Sequence, residues 1–275
     1  MRRDKEIEAF VRLLDVMDEL REKCPWDRKQ TMETLRPLTI EETYELSDAI
    51  LEGDFKGVSK ELGDLMLHMV FYAKIGKEMA LFDIADVLNL ICEKLIFRHP
   101  HVFGEVVVSG AGEVIQNWEQ LKRKEKDGNK TILSGVPASL PSLVKAYRVQ
   151  DKVRAVGFDW TEREDVWKKV KEEISEFEAE LVSVDGGESG NDKDSGDSLR
   201  RDRMEREFGD LMFSLVNVAR LYDINPDTAL ETTNLKFIRR FGYLEKWASE
   251  NGKNIKEMTL AEMDVIWEES KKVVG

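Results

Sequence analysis

The sequence predicts an all-α protein built from two tandem helical bundles. Three observations carry that expectation. Helical periodicity runs through almost all of the 275 residues, strand signals are nearly absent, and one acidic pattern occurs twice in the same order. The first copy reads Glu41-Glu42-x-x-Glu45 and then Glu61-x-x-Asp64. The second reads Glu172-Glu173-x-x-Glu176 and then Glu207-x-x-Asp210.

Taken in order, Ile7, Phe10, Val11, Leu14 and Met17 form one helical stripe flanked by Glu8, Arg12, Asp15 and Glu19, with Asp18 interrupting it. Thr39-x-x-Glu42 reads as a capping box ahead of the first acidic helix. Glu61-x-x-Asp64 runs on into the apolar Leu65-Met66-Leu67, as Glu207-x-x-Asp210 runs into Leu211-Met212-Phe213. Val106-Val107-Val108 alternates poorly and sits between glycines, so it is a weak strand candidate. The stretch 126–141 is rich in Gly, Ser and Pro and reads as the linker between domains at 1–125 and 142–275. Thr161-x-x-Glu164 is a second capping box. Asp185 to Asp202 is rich in Gly, Ser and Asp without a hydrophobic pattern, which predicts a mobile loop between the acidic helices of the second copy. Asn225-Pro226 offers an N-cap with proline at the first helical position, and Thr259-x-x-Glu262 caps the last helix.

The duplication extends beyond the carboxylates. Cys24-Pro25-Trp26-Asp27 precedes the first acidic pair as Gly157-Phe158-Asp159-Trp160 precedes the second. Lys94-Leu95-Ile96-Phe97-Arg98 parallels Lys236-Phe237-Ile238-Arg239-Arg240, and Trp118-Glu119 parallels Trp267-Glu268.

Composition narrows the function classes. A hydrophobic fraction of 41% supports real cores, and a net charge of −13 argues against non-specific binding to nucleic acid or an anionic membrane. Two cysteines, Cys24 and Cys92, are too few for a disulfide framework or a thiolate zinc site. The amino terminus does not read as a signal peptide, and no apolar run approaches a membrane span. The expectation is a cytoplasmic protein.

On a helix, residues three apart lie about 60° apart around the axis, so each acidic pair projects from one stripe. Two such helices face to face place four carboxylates around one volume, and like charges so crowded require a cation. Carboxylates without histidine favour Mg²⁺, with Mn²⁺ as the alternative. A di-iron bundle wants Glu-x-x-His, and this chain has three histidines. His68 follows Asp64 by one turn, but Ser214 holds the matching place, so His68 reads as a core or supporting residue. His99 and His101 flank Pro100 at a helix end and read as turn residues.

Magnesium works with phosphates, and basic residues follow the acidic helices in each copy. Lys236, Arg239 and Arg240 lie within little more than one turn and suit a phosphate chain. The first copy keeps Lys94 and Arg98 but has Phe97 in place of Arg239, and Leu38 in place of Lys169. Trp118 and Trp267 offer flat faces for a base, although large aromatics more often anchor cores. Glu41 or Glu172, beside the ligands, could orient or deprotonate a water that attacks a phosphorus, and the spacing leaves open which one. A lone Glu-Glu-x-x-Glu is usually a solvated face. The ordered duplicate argues otherwise, as do Asp64 and Asp210, poor helix formers placed directly before apolar runs.

These residues resemble the MazG family of all-α nucleoside triphosphate pyrophosphohydrolases. The likeness rests on the doubled acidic pattern, on Cys24-Pro25-Trp26-Asp27, on Arg98-His99-Pro100-His101-Val102-Phe103 and on Val156-Gly157-Phe158-Asp159-Trp160. It implies a dimerising helical fold and Mg²⁺-dependent hydrolysis of NTPs or dNTPs to the monophosphate and pyrophosphate. Carried over, the metal ligands would be Glu173, Glu176, Glu207 and Asp210, with Lys169, Lys236, Arg239, Arg240 and Trp267 on the nucleotide. The first copy would use Glu42, Glu45, Glu61 and Asp64 likewise, with Glu41 beside them. The alternatives are a non-catalytic nucleotide sensor or scaffold, and a hydrolase restricted to dUTP or dCTP.

Overall fold

Helices make up every regular element of the computed structural model, which describes residues 3–110, 112–114, 117–118, 121, 131–160, 162–182 and 193–274. Among these residues no strand forms, and Val106-Val107-Val108 is irregular. The chain divides into two units, Met1–Leu121 and Lys122–Gly275. None of the described helices is long and apolar enough to cross a membrane.

The first unit holds α1 (Asp4–Lys23), α2 (Met32–Glu52), α3 (Phe55–Glu78), α4 (Ile84–Arg98) and the short α5 (Pro100–Phe103), with a 3₁₀ turn at Asp27–Lys29. Its core is Met17, Leu35, Val70, Phe71 and Ile75, with Phe10, Leu13, Leu14, Met32 and Leu67 packed against them. The α1 stripe is therefore only half used: Met17 is buried while Ile7 and Val11 stay exposed. Burying side chains of this size contributes about 1.5–3 kcal/mol each, enough to hold α2 and α3 as an antiparallel pair.

Thr39-x-x-Glu42 is not a cap. The helix starts earlier, at Thr31, whose hydroxyl and that of Thr34 exchange the reciprocal capping bonds. Thr39 instead lies inside α2, bonding back to the Leu35 carbonyl and across to the Tyr72 hydroxyl at 2.8 Å. Gly53 closes α2 with a φ of 71°, a left-handed conformation that suits glycine.

The second unit holds α6 (Ser142–Arg154), α7 (Arg163–Val182), α8 (Lys193–Leu221), α9 (Pro226–Glu250) and α10 (Leu260–Val273), with a 3₁₀ turn at Ile255–Glu257. The α7–α8 pair packs most extensively, as α2–α3 does in the first unit. Val166, Val170 and Val216 are buried, and a second cluster joins Leu244, Ala248, Met258 and Ile266 between α9 and α10. The Asn225 and Thr259 caps form as the sequence predicts. The Thr161 box includes a residue outside those described, as do 126–130 of the expected linker.

The loop expected over Asp185–Asp202 is shorter at its far end. Residues 183–192 lie outside the described residues, but Lys193–Asp202 belongs to α8. Straight-chain residues such as Arg200, Arg201 and Arg203 carry the helix back from the acidic pair. Arg203 also bonds the Glu180 carboxylate at 3.0 Å, tying this turn to α7.

Candidate functional site

Each unit brings its acidic helices together as the duplication predicts. In the first, Glu42 and Glu45 on α2 meet Glu61 on α3, with carboxylate oxygens all within 4.8 Å. In the second, Glu173 on α7 meets Glu207 and Asp210 on α8 within the same limit. Glu61 and Glu173 are buried, at 6% and 5% exposure, so one carboxylate of each group lies in the helix seam. The fourth expected ligand is nearby in each case. Burial pushes the Glu42 carboxyl up, with Asp64, Glu45 and Glu61 adding repulsion. Burial likewise raises Glu176, with Glu173 the leading charge beside it.

Each copy carries a lysine among its carboxylates, from a different helix. In the first unit Lys60 Nζ lies 2.9 Å from Glu61, 3.8 Å from Asp64 and 3.9 Å from Glu45. In the second, Lys169 Nζ bonds Glu172 at 2.8 Å and Glu173 at 2.7 Å, which holds its ammonium pKa well above the ordinary value. Sequence reasoning identifies Lys169 and misses Lys60. Its signal is one position away from Glu61 and four from Asp64 on the same helix.

Lys60 is therefore a competitor for any cation at the first cluster. Replacing it with Met should tighten Mn²⁺ binding there by about two- to fivefold, the scale of an exposed ion pair. Electron paramagnetic titration of the full chain, with Glu173 replaced by Gln to quiet the second cluster, would read it. An unchanged affinity would deny Lys60 that role.

The remaining residues sit as follows. Glu41 is exposed on α2, outside the group of close carboxylates, and Glu172 is exposed and held by Lys169. Lys94 is exposed on α4, while the Arg98 guanidinium stacks 5.2 Å over the Trp118 ring. Lys236, Arg239 and Arg240 follow one another on α9. The Arg240 Nε is buried without a hydrogen-bond partner among the described residues. Trp267 packs at 5.0 Å against Phe237, next to Lys236, and is partly exposed. His68 is buried, and burial lowers its pKa. His99 bonds the Leu95 carbonyl at 2.7 Å between α4 and α5, the turn position expected of it.

Sequence reasoning also misses a buried ion pair in the second unit. Arg220 donates from Nη1 to Asp159 Oδ2 at 2.9 Å and from Nη2 to the other carboxylate oxygen. The sequence marks Asp159 only as part of a repeated motif, and its partner lies 61 residues further on.

The sequence profile of the MazG nucleotide pyrophosphohydrolase domain matches residues 30–103, which hold Glu42, Glu45, Glu61 and Asp64. The chain is 38% identical over 265 residues to a nucleoside triphosphate pyrophosphohydrolase/pyrophosphatase MazG of Thermotoga maritima, covering 95% of each chain. It is 38% identical over 268 residues to a nucleoside triphosphate pyrophosphohydrolase of Escherichia coli, covering 95% of this chain and 96% of the relative. It is also 42% identical to an uncharacterized protein of Bacillus subtilis, covering 90% of this chain and 48% of that one.

Proposed function

The chain belongs to the MazG family, and from that membership we propose that it hydrolyses NTPs and dNTPs to the nucleoside monophosphate and pyrophosphate, with the second copy as the working site. The observation that carries the reading is the group of three carboxylates, Glu173, Glu207 and Asp210, converging from two helices. Their all-oxygen donor set fits a hard divalent cation, Mg²⁺ or Mn²⁺, and Glu176 feels the charge of Glu173 and Glu207 beside it. Such a cation, when bound, supplies Lewis-acid stabilisation of charge on the phosphoryl oxygens.

The protein's own groups do the rest. Glu172 orients a water toward the α-phosphorus and accepts its proton. The new P–O bond forms as the bond from the α-phosphorus to the bridging oxygen breaks, and pyrophosphate leaves. Lys169, Lys236, Arg239 and Arg240 neutralise the phosphate chain, and the unpartnered Arg240 Nε is a donor suited to one more acceptor. Glu41 would serve the first copy as Glu172 serves the second. There Lys60 already answers the charge of three carboxylates, and Phe97 and Leu38 replace two cations.

A homodimer belongs to the same proposal. No residue of α4 is buried, and Leu90 is 74% exposed, with Leu95, Ile96 and Phe97 exposed nearby. An apolar helix of this kind calls for a covering partner.

The test is ³¹P NMR of products after incubation with Mg²⁺ and a panel of NTPs and dNTPs. Monophosphate plus pyrophosphate is the expected result. Diphosphate plus phosphate would overturn the site of attack, and binding without turnover would favour a nucleotide sensor.

A further inference from the structure

The second cluster carries a cation of its own, and that cation ties together two acids with different work. Lys169 lies one turn before Glu172 and Glu173 on α7. Its Nζ is 2.8 Å from Glu172 Oε1 and 2.7 Å from Glu173 Oε1, so one ammonium spans both carboxylates. Ion pairs one turn apart on a helix usually join two solvated side chains and contribute little. This one differs in its acceptor. The Glu173 side chain is 7% exposed and shares the helix seam with Glu207 and Asp210. A buried carboxylate needs a compensating charge, and Lys169 supplies it.

A divalent cation held by Glu173, Glu207 and Asp210 sets a further positive charge close to that ammonium. Like charges so placed repel strongly where water is scarce. Glu173 is packed between α7 and α8, so the lysine is the partner that yields. Its side chain is 38% exposed, on a flexible four-carbon stem that reaches solvent.

Leaving Glu173 also means leaving Glu172, because a single Nζ makes both contacts. While the bond to Glu172 stands, that carboxylate is held along its own helix against Lys169 rather than turned to a water.

The first copy is wired differently. Lys60 comes from α3 and contacts Glu45, Glu61 and Asp64, and among the described residues Glu41 is not one of its partners. There the lysine can be displaced without any change at Glu41.

We propose that the Lys169 ammonium and a divalent cation exclude one another at Glu173, so that loading the second cluster frees Glu172 in the same step. Lys169 is then a positioning residue that keeps the proton acceptor bound until the cation is in place. The exchange rests on the reading of Glu173 as a cation ligand and Glu172 as the proton acceptor.

The test uses the full chain with Glu42→Gln to quiet the first cluster, and with Lys169→Met or Lys169→Arg added to that parent. Thermal melting checks that each variant folds. The first readout is the ¹⁵N ammonium signal of Lys169, identified by its absence from the Arg variant and followed through a Mg²⁺ titration. Ammonium protons held by carboxylates exchange slowly enough with water to be seen, and free ones do not. The second readout is Mn²⁺ affinity by electron paramagnetic titration. Neither needs turnover.

We expect the Lys169 signal before Mg²⁺ and its loss at saturation, since an ammonium still held by Glu172 would keep it. Lys169→Met should bind Mn²⁺ about fivefold more tightly, the upper end for an exposed pair because one partner here is buried. Lys169→Arg should stay within about twofold of the parent, since charge sets the competition. A Lys169 signal missing before Mg²⁺ or surviving saturation, or an unchanged Mn²⁺ affinity in a folded Met variant, overturns the exchange and leaves the metal site standing. The parent titration decides by itself should Lys169→Met fail to fold. No Mn²⁺ bound by the parent would overturn the metal-site reading itself.

Discussion

Replacing Glu173 with Gln should lower kcat for NTP hydrolysis by about 10³-fold, whereas Glu42→Gln should change it by no more than about twofold. The first figure corresponds to about 4 kcal/mol of lost transition-state stabilisation, the scale of a divalent cation acting on developing phosphoryl charge. Glu173 sits in the α7–α8 seam at 5% exposure, converging with Glu207 and Asp210 and bonded to Lys169. Gln keeps its shape and removes its charge, so the loss reports electrostatics rather than packing. Glu42 occupies the matching place in a cluster where Lys60 already contacts three carboxylates. Steady-state rates of the two full-length variants decide between the copies. The domain profile matches the first copy, so a larger loss from Glu42→Gln would move catalysis there.

Asp159→Ala should destabilise the second unit by about 3 kcal/mol, because it leaves the Arg220 guanidinium buried and uncompensated. The Arg220 side chain is 4% exposed, while that of Asp159 is 21% exposed, which places the cost at the lower end for a broken buried pair. For a unit of this size that is a fall in Tm of about 10 °C. The pair also predicts the pH dependence. Burial pushes the Asp159 carboxyl up, but the Arg220 hydrogen bonds and charge outweigh it and hold it below its ordinary value of 3.8. Its contribution is therefore fully present above pH 3.8 and lost as pH falls through the lowered value. Calorimetry against pH should show an acid limb in the wild type that Asp159→Ala flattens. An equal limb in both would assign acid sensitivity to other carboxylates.

Much of this protein is legible in its residues because helices write their partners into local spacing. Glu42 and Glu45 share a helix stripe, and so do Glu207 and Asp210. The duplicate order then implies that the two helices of each copy face one another, and they do. The caps at Asn225 and Thr259 are readable for the same reason, since donor and acceptor lie within one turn. Where two local solutions compete, spacing is not enough. Thr31 and Thr39 both precede helical sequence, and the earlier one starts α2 because Thr34 can return its bond. The Gly- and Ser-rich stretch reads as loop into Asp202, but Arg203 binding Glu180 on the neighbouring helix favours helix there.

The all-α class, the doubled acidic motif and its set of oxygen donors are legible in the residues alone. That Lys60 shares the first cluster with Glu45, a residue on another helix, emerges from how the helices pack. Helix packing joined Arg220 to Asp159 and opened a cavity beside Asn217. The physical reason is range. Helical periodicity encodes contacts within one or two turns, whereas ion pairs and cavities between helices depend on how whole side chains fill the seam.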